Sequence, residues 1–189
     1  MDPKVHDLFK CPVYETQINL NIKLINDYCQ RLNRSVKGVT KSNRGGWQSP
    51  PIDSIEIPIL SKEIGKHAAL FKKELSLKNS LKICNMWVNI NNYKDFNIQH
   101  THPTCLLSGV YYVKSPLDSG SLNFFHPADS LMQSDWFKFE REDYNKYNSP
   151  NWHFEPKENM LILFPAWLEH SVSPNLNKKE RVCISFNLK

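Results

Sequence analysis

The chain has 189 residues, 40% of them hydrophobic and 12% aromatic, which is enough to bury a core and excludes a disordered polypeptide. A mean hydropathy of −0.51 and the lack of an apolar run of ~18 residues exclude a membrane-spanning helix, and the opening MDPKVHDLFKCPVYE lacks the apolar core of a secretory signal. The net charge is +5, but the lysines are scattered, and nucleic-acid binding needs a focused basic patch with stacking aromatics.

The length suits one domain over residues 1–189. Its first 80 residues read as helix and loop. Residues 21–34 place Ile22, Ile25, Cys29 and Leu32 on one helical face. The stretch TKSNRGGWQSPPID is a loop by its Gly, Ser and Pro content. Residues 60–77 form a second helix with Leu60, Ile64, Ala68, Phe71 and Leu75 on one face, and Pro58 stands just before it. From residue 81 the period changes to two: Cys84, Met86, Val88 and Ile90 alternate along LKICNMWVNI. CLLSGVYYV, SLNFF, NWHFE, MLILF and ERVCISFNL follow as short β-rich runs, with PLDSGS as a turn. Such a series points to a mostly β sandwich or jelly roll over 81–189, with the two helices bracing one outer face. Residues 126–150 interrupt it, as a lip over a site or as a plain surface loop.

The five cysteines at 11, 29, 84, 105 and 183 are odd in number and show no metal-binding spacing. They read as reduced thiols of a cytosolic protein, with Cys84, Cys105 and Cys183 as small apolar strand residues.

Seven histidines are present. His6, His67, His126 and His153 read as ordinary surface or core residues. His100 and His102, in QHTHP, stand two apart after a strand, and on an extended backbone such residues project to the same side. His170 follows the apolar run LILF by a few residues. Imidazole suits iron, copper, nickel and zinc, and an isolated His-x-His pair leaves a site or none open. Arg181 opens the last strand on the face opposite Val182, Ile184 and Phe186. It is either a surface residue or a buried cation that needs an anionic partner, such as a carboxylate held in bidentate geometry. Tyr112 offers a hydroxyl to the same anion, unless it is simply a core aromatic.

WVNINNYKDFNIQHTHP, LSGVYYVKSP, SGSLNFFHP, LILFPAWLEHSVSPN and ERVCISFNL, in this order over about residues 86–188, resemble the 2-oxoglutarate and Fe(II)-dependent oxygenase superfamily. The closest resemblance is to a subfamily of bacteria and phages, related to prolyl hydroxylases. It implies a double-stranded β-helix, a cupin-like jelly roll. It implies that His100 and His170 ligate iron, and that Arg181, assisted by Tyr112, binds the distal carboxylate of 2-oxoglutarate. The superfamily pattern places Asp or Glu where this chain has His102, so the metal site holds either three histidines or two with His102 behind them. With all three as ligands the site is one unit more positive, which favours a dianionic keto acid.

The implied activity is that of a dioxygenase consuming O2 and 2-oxoglutarate, releasing succinate and CO2, and hydroxylating a protein residue or a small molecule. The alternatives are a three-histidine iron dioxygenase without a keto acid and a non-catalytic jelly-roll binding protein; the first has no use for the Arg181 and Tyr112 clamp. Trp47 and Trp136, with Phe137 and Trp152, are aromatic candidates for contact with the primary substrate. The expected location is the cytoplasm, or the host cytoplasm for a phage-encoded protein.

Overall fold

The computed structural model describes residues 2–132 and 140–189. In chain order the elements are β1 (Tyr14–Gln17), α1 (Ile22–Ser35), β2 (Asn43–Arg44), β3 (Trp47–Gln48), α2 (Pro58–Glu74), β4 (Ile83–Asn91), β5 (Phe96–His100), β6 (Leu107–Lys114) and β7 (Leu122–Phe125). A short α3 (Asp129–Met132) precedes β8 (Asn151–Phe154), β9 (Met160–Pro165), β10 (His170–Val172) and β11 (Arg181–Leu188). The strands form two antiparallel sheets, ordered β1-β9-β6-β11-β4-β3 and β2-β5-β10-β7-β8 among the described residues. The fold is the expected jelly roll.

The larger sheet is two-faced, and its sequence says why. Along β11, Val182, Ile184, Phe186 and Leu188 project outward, where they join Met86, Val88, Ile90, Tyr111 and Val113. The helices cover this face with Ile25, Cys29, Leu60, Ile64, Ala68 and Phe71, and each large side chain buried there contributes roughly 1.5–3 kcal/mol. The intervening positions project between the sheets, where Val110, Tyr112, Ile162, Phe164 and Cys183 meet Leu122, Phe124 and Leu168.

The helices lie where the 3.6-residue period put them, within three residues at each end. The Asn21 side chain caps the N-terminus of α1 by accepting from the Leu24 N–H at 3.3 Å. Pro58 is the first residue of α2 rather than its neighbour, a position where no N–H is required. The sheets also take in β1, β2 and β3 from the first 80 residues, and the polar strands β5 and β10, none of which shows apolar alternation.

Two cysteines differ from the expectation. Asn187 pairs with Asn85 but Leu188 pairs with Ile83, so Cys84 is the extra residue of a bulge. Ile83 therefore packs on the core and Cys84 is exposed. Cys105 lies in the turn before β6, so of these three only Cys183 is a buried strand residue.

At Gly109 the outer face of the larger sheet is closely packed. A Cβ there would stand 2.5 Å from Cζ of Phe186 and 2.7 Å from the Ile162 carbonyl oxygen. Phe186 is fully buried and the carbonyl belongs to β9, so neither yields freely. Gly109→Ala is expected to lower the unfolding free energy by about 1–3 kcal/mol, measured by urea denaturation; unchanged stability would show that the sheet relaxes there.

Candidate metal centre

Two strands of the smaller sheet place the first two histidines. His100 ends β5, His170 begins β10, and the two are direct antiparallel partners. His102 lies two residues beyond β5, held by its N–H donating to the Ala166 carbonyl at 2.9 Å. The three rings converge, with centroids 4.3 Å apart for His100 and His170 and 5.0 Å for each pair with His102. One ligand atom from each lies within 4.8 Å of the other two.

Backbone carbonyls orient two of these rings. His100 Nδ1 stands 2.7 Å from the Ile98 oxygen, and His170 Nδ1 stands 2.9 Å from the Leu168 oxygen. A carbonyl only accepts, so both Nδ1 atoms carry the proton and both Nε2 lone pairs are left for a metal. The His102 ring has no hydrogen bond among the described residues and lies beside Trp87, at 5.7 Å between centroids. Phe164 stands against His170 at 4.7 Å. In these dry surroundings desolvation, with repulsion from His100, lowers the pKa of His102 to about 4 and that of His170 to about 3. Desolvation also lowers that of His100. All three are thus neutral near pH 7, the form that binds a metal.

Arg181, at the head of β11, is only 1% exposed. Its guanidinium donates to the carbonyls of Ser119 and Gly120, while its Nε is buried without a partner. Among the described residues no carboxylate comes within ion-pair distance of it. Tyr112 and Asn89 flank Cys183 on the neighbouring strands, one step further along the same inner face. The Tyr112 hydroxyl has no hydrogen-bond partner among the described residues. Burial pushes its pKa well above the ordinary value, so it is a proton donor at neutral pH.

The three histidines, Tyr112 and Arg181 line one cavity of about 50 Å³, together with Trp87, Asn89, Asn97 and Ser185. The residues fit both groups expected there. Three converging neutral imidazoles suit Fe(II), and a buried guanidinium with a free Nε, beside a phenol donor, suits the carboxylate of 2-oxoglutarate. Trp87 and the polar side chains were not picked out from the sequence. The signal was present in WVNINN, where Trp87, Asn89 and Asn91 alternate with the outward Val88 and Ile90: a sheet face lined by asparagines encloses something polar.

Trp47 is not in this cavity. It pairs with Ile90 on β4, packs toward the outer core and donates from Nε1 to the Val36 carbonyl at 3.2 Å. The tryptophan secures the end of α1, which leaves its ring on the far side of the sheet from the histidines. Trp152, half exposed on β8, borders a separate groove of about 680 Å³ against the N-terminal segment. Trp136 and Phe137 lie outside the described residues. His67, buried on α2, faces the Tyr14 hydroxyl at 2.8 Å and has no part in the site.

Solved structures share this fold at low sequence identity. A Pseudomonas putida prolyl-4-hydroxylase superimposes with a TM-score of 0.68 at 14% identity, covering 97% of this chain and 95% of that one. The non-heme alpha-ketoglutarate-dependent epimerase SnoN from nogalamycin biosynthesis gives 0.67 at 12% identity, covering 94% of this chain and 76% of that one. A cargo-transport protein, YPP1 of Kluyveromyces lactis, is 30% identical over 105 residues, which are 55% of this chain but only 14% of that protein. Among the described residues no helix is long and apolar enough to cross a membrane. A model of the 2OG-Fe(II) oxygenase family matches residues 85–187, more than half of the chain, and the chain belongs to that family, whose cofactor and co-substrate are Fe(II) and 2-oxoglutarate.

Proposed function

We propose that residues 1–189 act as one oxygenase domain that hydroxylates a protein side chain or a small molecule in the cytoplasm. His100, His102 and His170 hold the iron, and Arg181 with Tyr112 holds the distal carboxylate of 2-oxoglutarate. The observation that carries this reading is Arg181, a buried guanidinium that has a free Nε and no anionic partner among the described residues, in the cavity that the three histidines line. The likeness to a prolyl-4-hydroxylase favours a protein residue as substrate, and the likeness to SnoN keeps small molecules in view.

Bound together, iron and 2-oxoglutarate supply the oxidising power, consuming O2 and releasing succinate and CO2. The chain's own residues bind and orient. His100 and His170 keep their Nε2 lone pairs turned inward through the Ile98 and Leu168 carbonyls. Arg181 presents a fixed fork of donors, so a dicarboxylate enters with one end on the guanidinium and the other toward the histidines. Tyr112 donates its hydroxyl proton to the same carboxylate without transferring it. Trp87, Phe164 and Val110 exclude water from the cavity. A dioxygenase working without a keto acid would leave the guanidinium unpaired, which favours the 2-oxoglutarate reading over that alternative.

Protein prepared without oxygen is expected to bind about one Fe(II) per chain, and His100→Ala or His170→Ala to abolish binding, as read by metal analysis after desalting. Equal iron content in both variants would sink the ligand assignment. His102→Ala separates its two possible roles. Loss as complete as in the other two variants marks a direct ligand, and a decrease of only about 10–100-fold in affinity marks a supporting residue.

The clamp is tested by anaerobic titration of the Fe(II) protein with 2-oxoglutarate, following the metal-to-ligand absorption band. Arg181→Ala should keep its iron and lose about 2–5 kcal/mol of 2-oxoglutarate binding. Arg181→Lys should recover only part of this, because an ammonium lacks the bidentate fork. Tyr112→Phe should cost about 1.5–3 kcal/mol. An Arg181→Ala protein that binds as tightly as the wild type would remove Arg181 from the clamp.

A further inference from the structure

The thiols of Cys84 and Cys105 stand 3.9 Å apart, sulfur to sulfur. Cys84 is exposed and Cys105 half-buried, so an oxidant in solution reaches the pair. The fold brings them together. The bulge in β4 turns Cys84 away from the helix-covered core, with its Sγ 3.5 Å from the Asn187 carbonyl on β11. On the other side of β11, the Leu106 N–H donates to the Leu188 carbonyl at 2.9 Å and fixes the segment that carries Cys105.

Cys105 is also three residues from His102. The turn between them closes through a long hydrogen bond, Cys105 N–H to the His102 carbonyl at 3.4 Å. It passes through Thr104 at φ +73°, a left-handed conformation that threonine seldom adopts. His102 is the histidine of the three whose ring no hydrogen bond orients among the described residues. Short main-chain bonds hold the two ends of this turn, at His102 and Leu106, and between them the long bond is the only backbone one among the described residues.

We propose that Cys84 and Cys105 close reversibly to a disulfide in the presence of hydrogen peroxide, and that closure loosens the hold of His102 on the iron. This rests on the reading of the three histidines as an Fe(II) site. The exposed Cys84 sulfur attacks the peroxide, the O–O bond breaks, and a sulfenic acid and one water form. The Cys105 sulfur then attacks the sulfenic sulfur, the S–O bond breaks and a second water leaves. Two thiols together lose two electrons and two protons, and one hydrogen peroxide becomes two waters. Desolvation, reinforced by Cys105, raises the Cys84 pKa, so its attack on the peroxide is slow at neutral pH and closure requires sustained exposure to the oxidant. A disulfide holds its sulfurs about 2.05 Å apart, so they must approach considerably. Cys84 belongs to a nine-residue strand paired to β11 on both sides of the bulge, whereas Cys105 lies inside the turn, on the long bond to His102 and next to the anchored Leu106. The turn is the part that yields, and His102 moves with it.

The test uses full-length metal-free protein, treated with hydrogen peroxide, desalted, and divided for peptide mapping and anaerobic Fe(II) titration against a chromogenic chelator. The expected map shows a peptide joining Cys84 to Cys105, about 2 Da lighter than its reduced parts and released by dithiothreitol. Fe(II) affinity should fall about tenfold or more and return with dithiothreitol. Cys105→Ser, treated identically, should keep the affinity of the reduced wild type, which separates the effect from damage at Cys11 or at the histidines. Absence of the joined peptide overturns the proposal, as does a joined protein that binds Fe(II) like the reduced one. Failure of the iron reading looks different: untreated, fully reduced protein would bind no Fe(II), and the proposed effect on His102 would fall with it even if the joined peptide appeared.

Discussion

Arg181 carries a full charge into the space between two sheets, and a guanidinium taken from water is costly unless its donors are met. The chain meets part of that demand with main-chain oxygens. The turn between β6 and β7 turns the carbonyls of Ser119 and Gly120 onto one guanidinium nitrogen. Gly120 makes this approach possible. Its φ is +91°, and a Cβ there would run into the Ser173 carbonyl and the guanidinium itself. The head of β11, the β6–β7 turn and the segment after β10 are thus arranged around one cation. Nε is left free, and an anion entering the cavity completes the arrangement rather than disturbing it.

The two faces of the larger sheet make this polar interior affordable. The larger of the two apolar clusters lies on the outer face, under α1 and α2, and a smaller one fills part of the space between the sheets. The inner face can therefore carry Asn89, Ser185 and Tyr112 beside Arg181 without leaving the sheet unsupported. Asn89 donates to the Ser185 hydroxyl at 3.1 Å and Asn97 to that of Ser42, so these polar groups largely satisfy one another. Strands also hold a site more firmly than loops. His100, His170, Tyr112 and Arg181 stand on paired strands, whereas His102 stands on a turn. The one position where the chain departs from the superfamily's carboxylate is also the least constrained, and the cysteine pair lies against that turn.

Similarity to the solved structures, at 12–14% identity, lies in the arrangement of strands rather than in the side chains. Alternation of apolar and polar residues is enough to specify which face of a strand is buried, and many sequences satisfy it. The match to residues 85–187 coincides with the part of the chain where period-two alternation runs. Residues 1–80 contribute the cover, two helices and three short strands, which packing against the sheet constrains less tightly.

The sequence by itself determined the helices, the long strands, which face of β11 looks inward, and the candidate residues His100, His102, His170, Tyr112 and Arg181. Each of these is local: a periodicity, or a residue type at a fixed offset from a strand. Tertiary structure alone decided the rest. Strands β5 and β10 are too short and polar to announce themselves, and they exist because they pair with each other and so bring His100 opposite His170. The bulge that exposes Cys84 depends on the register of β11, which the alternation around Cys84 does not reveal. Trp47 reads from its type as a site aromatic, but its pairing with Ile90 sends it to the outer core. That the Arg181 guanidinium meets the carbonyls of Ser119 and Gly120 depends on a turn about 60 residues distant in the chain, because a buried charge finds its partners through space and not along the sequence.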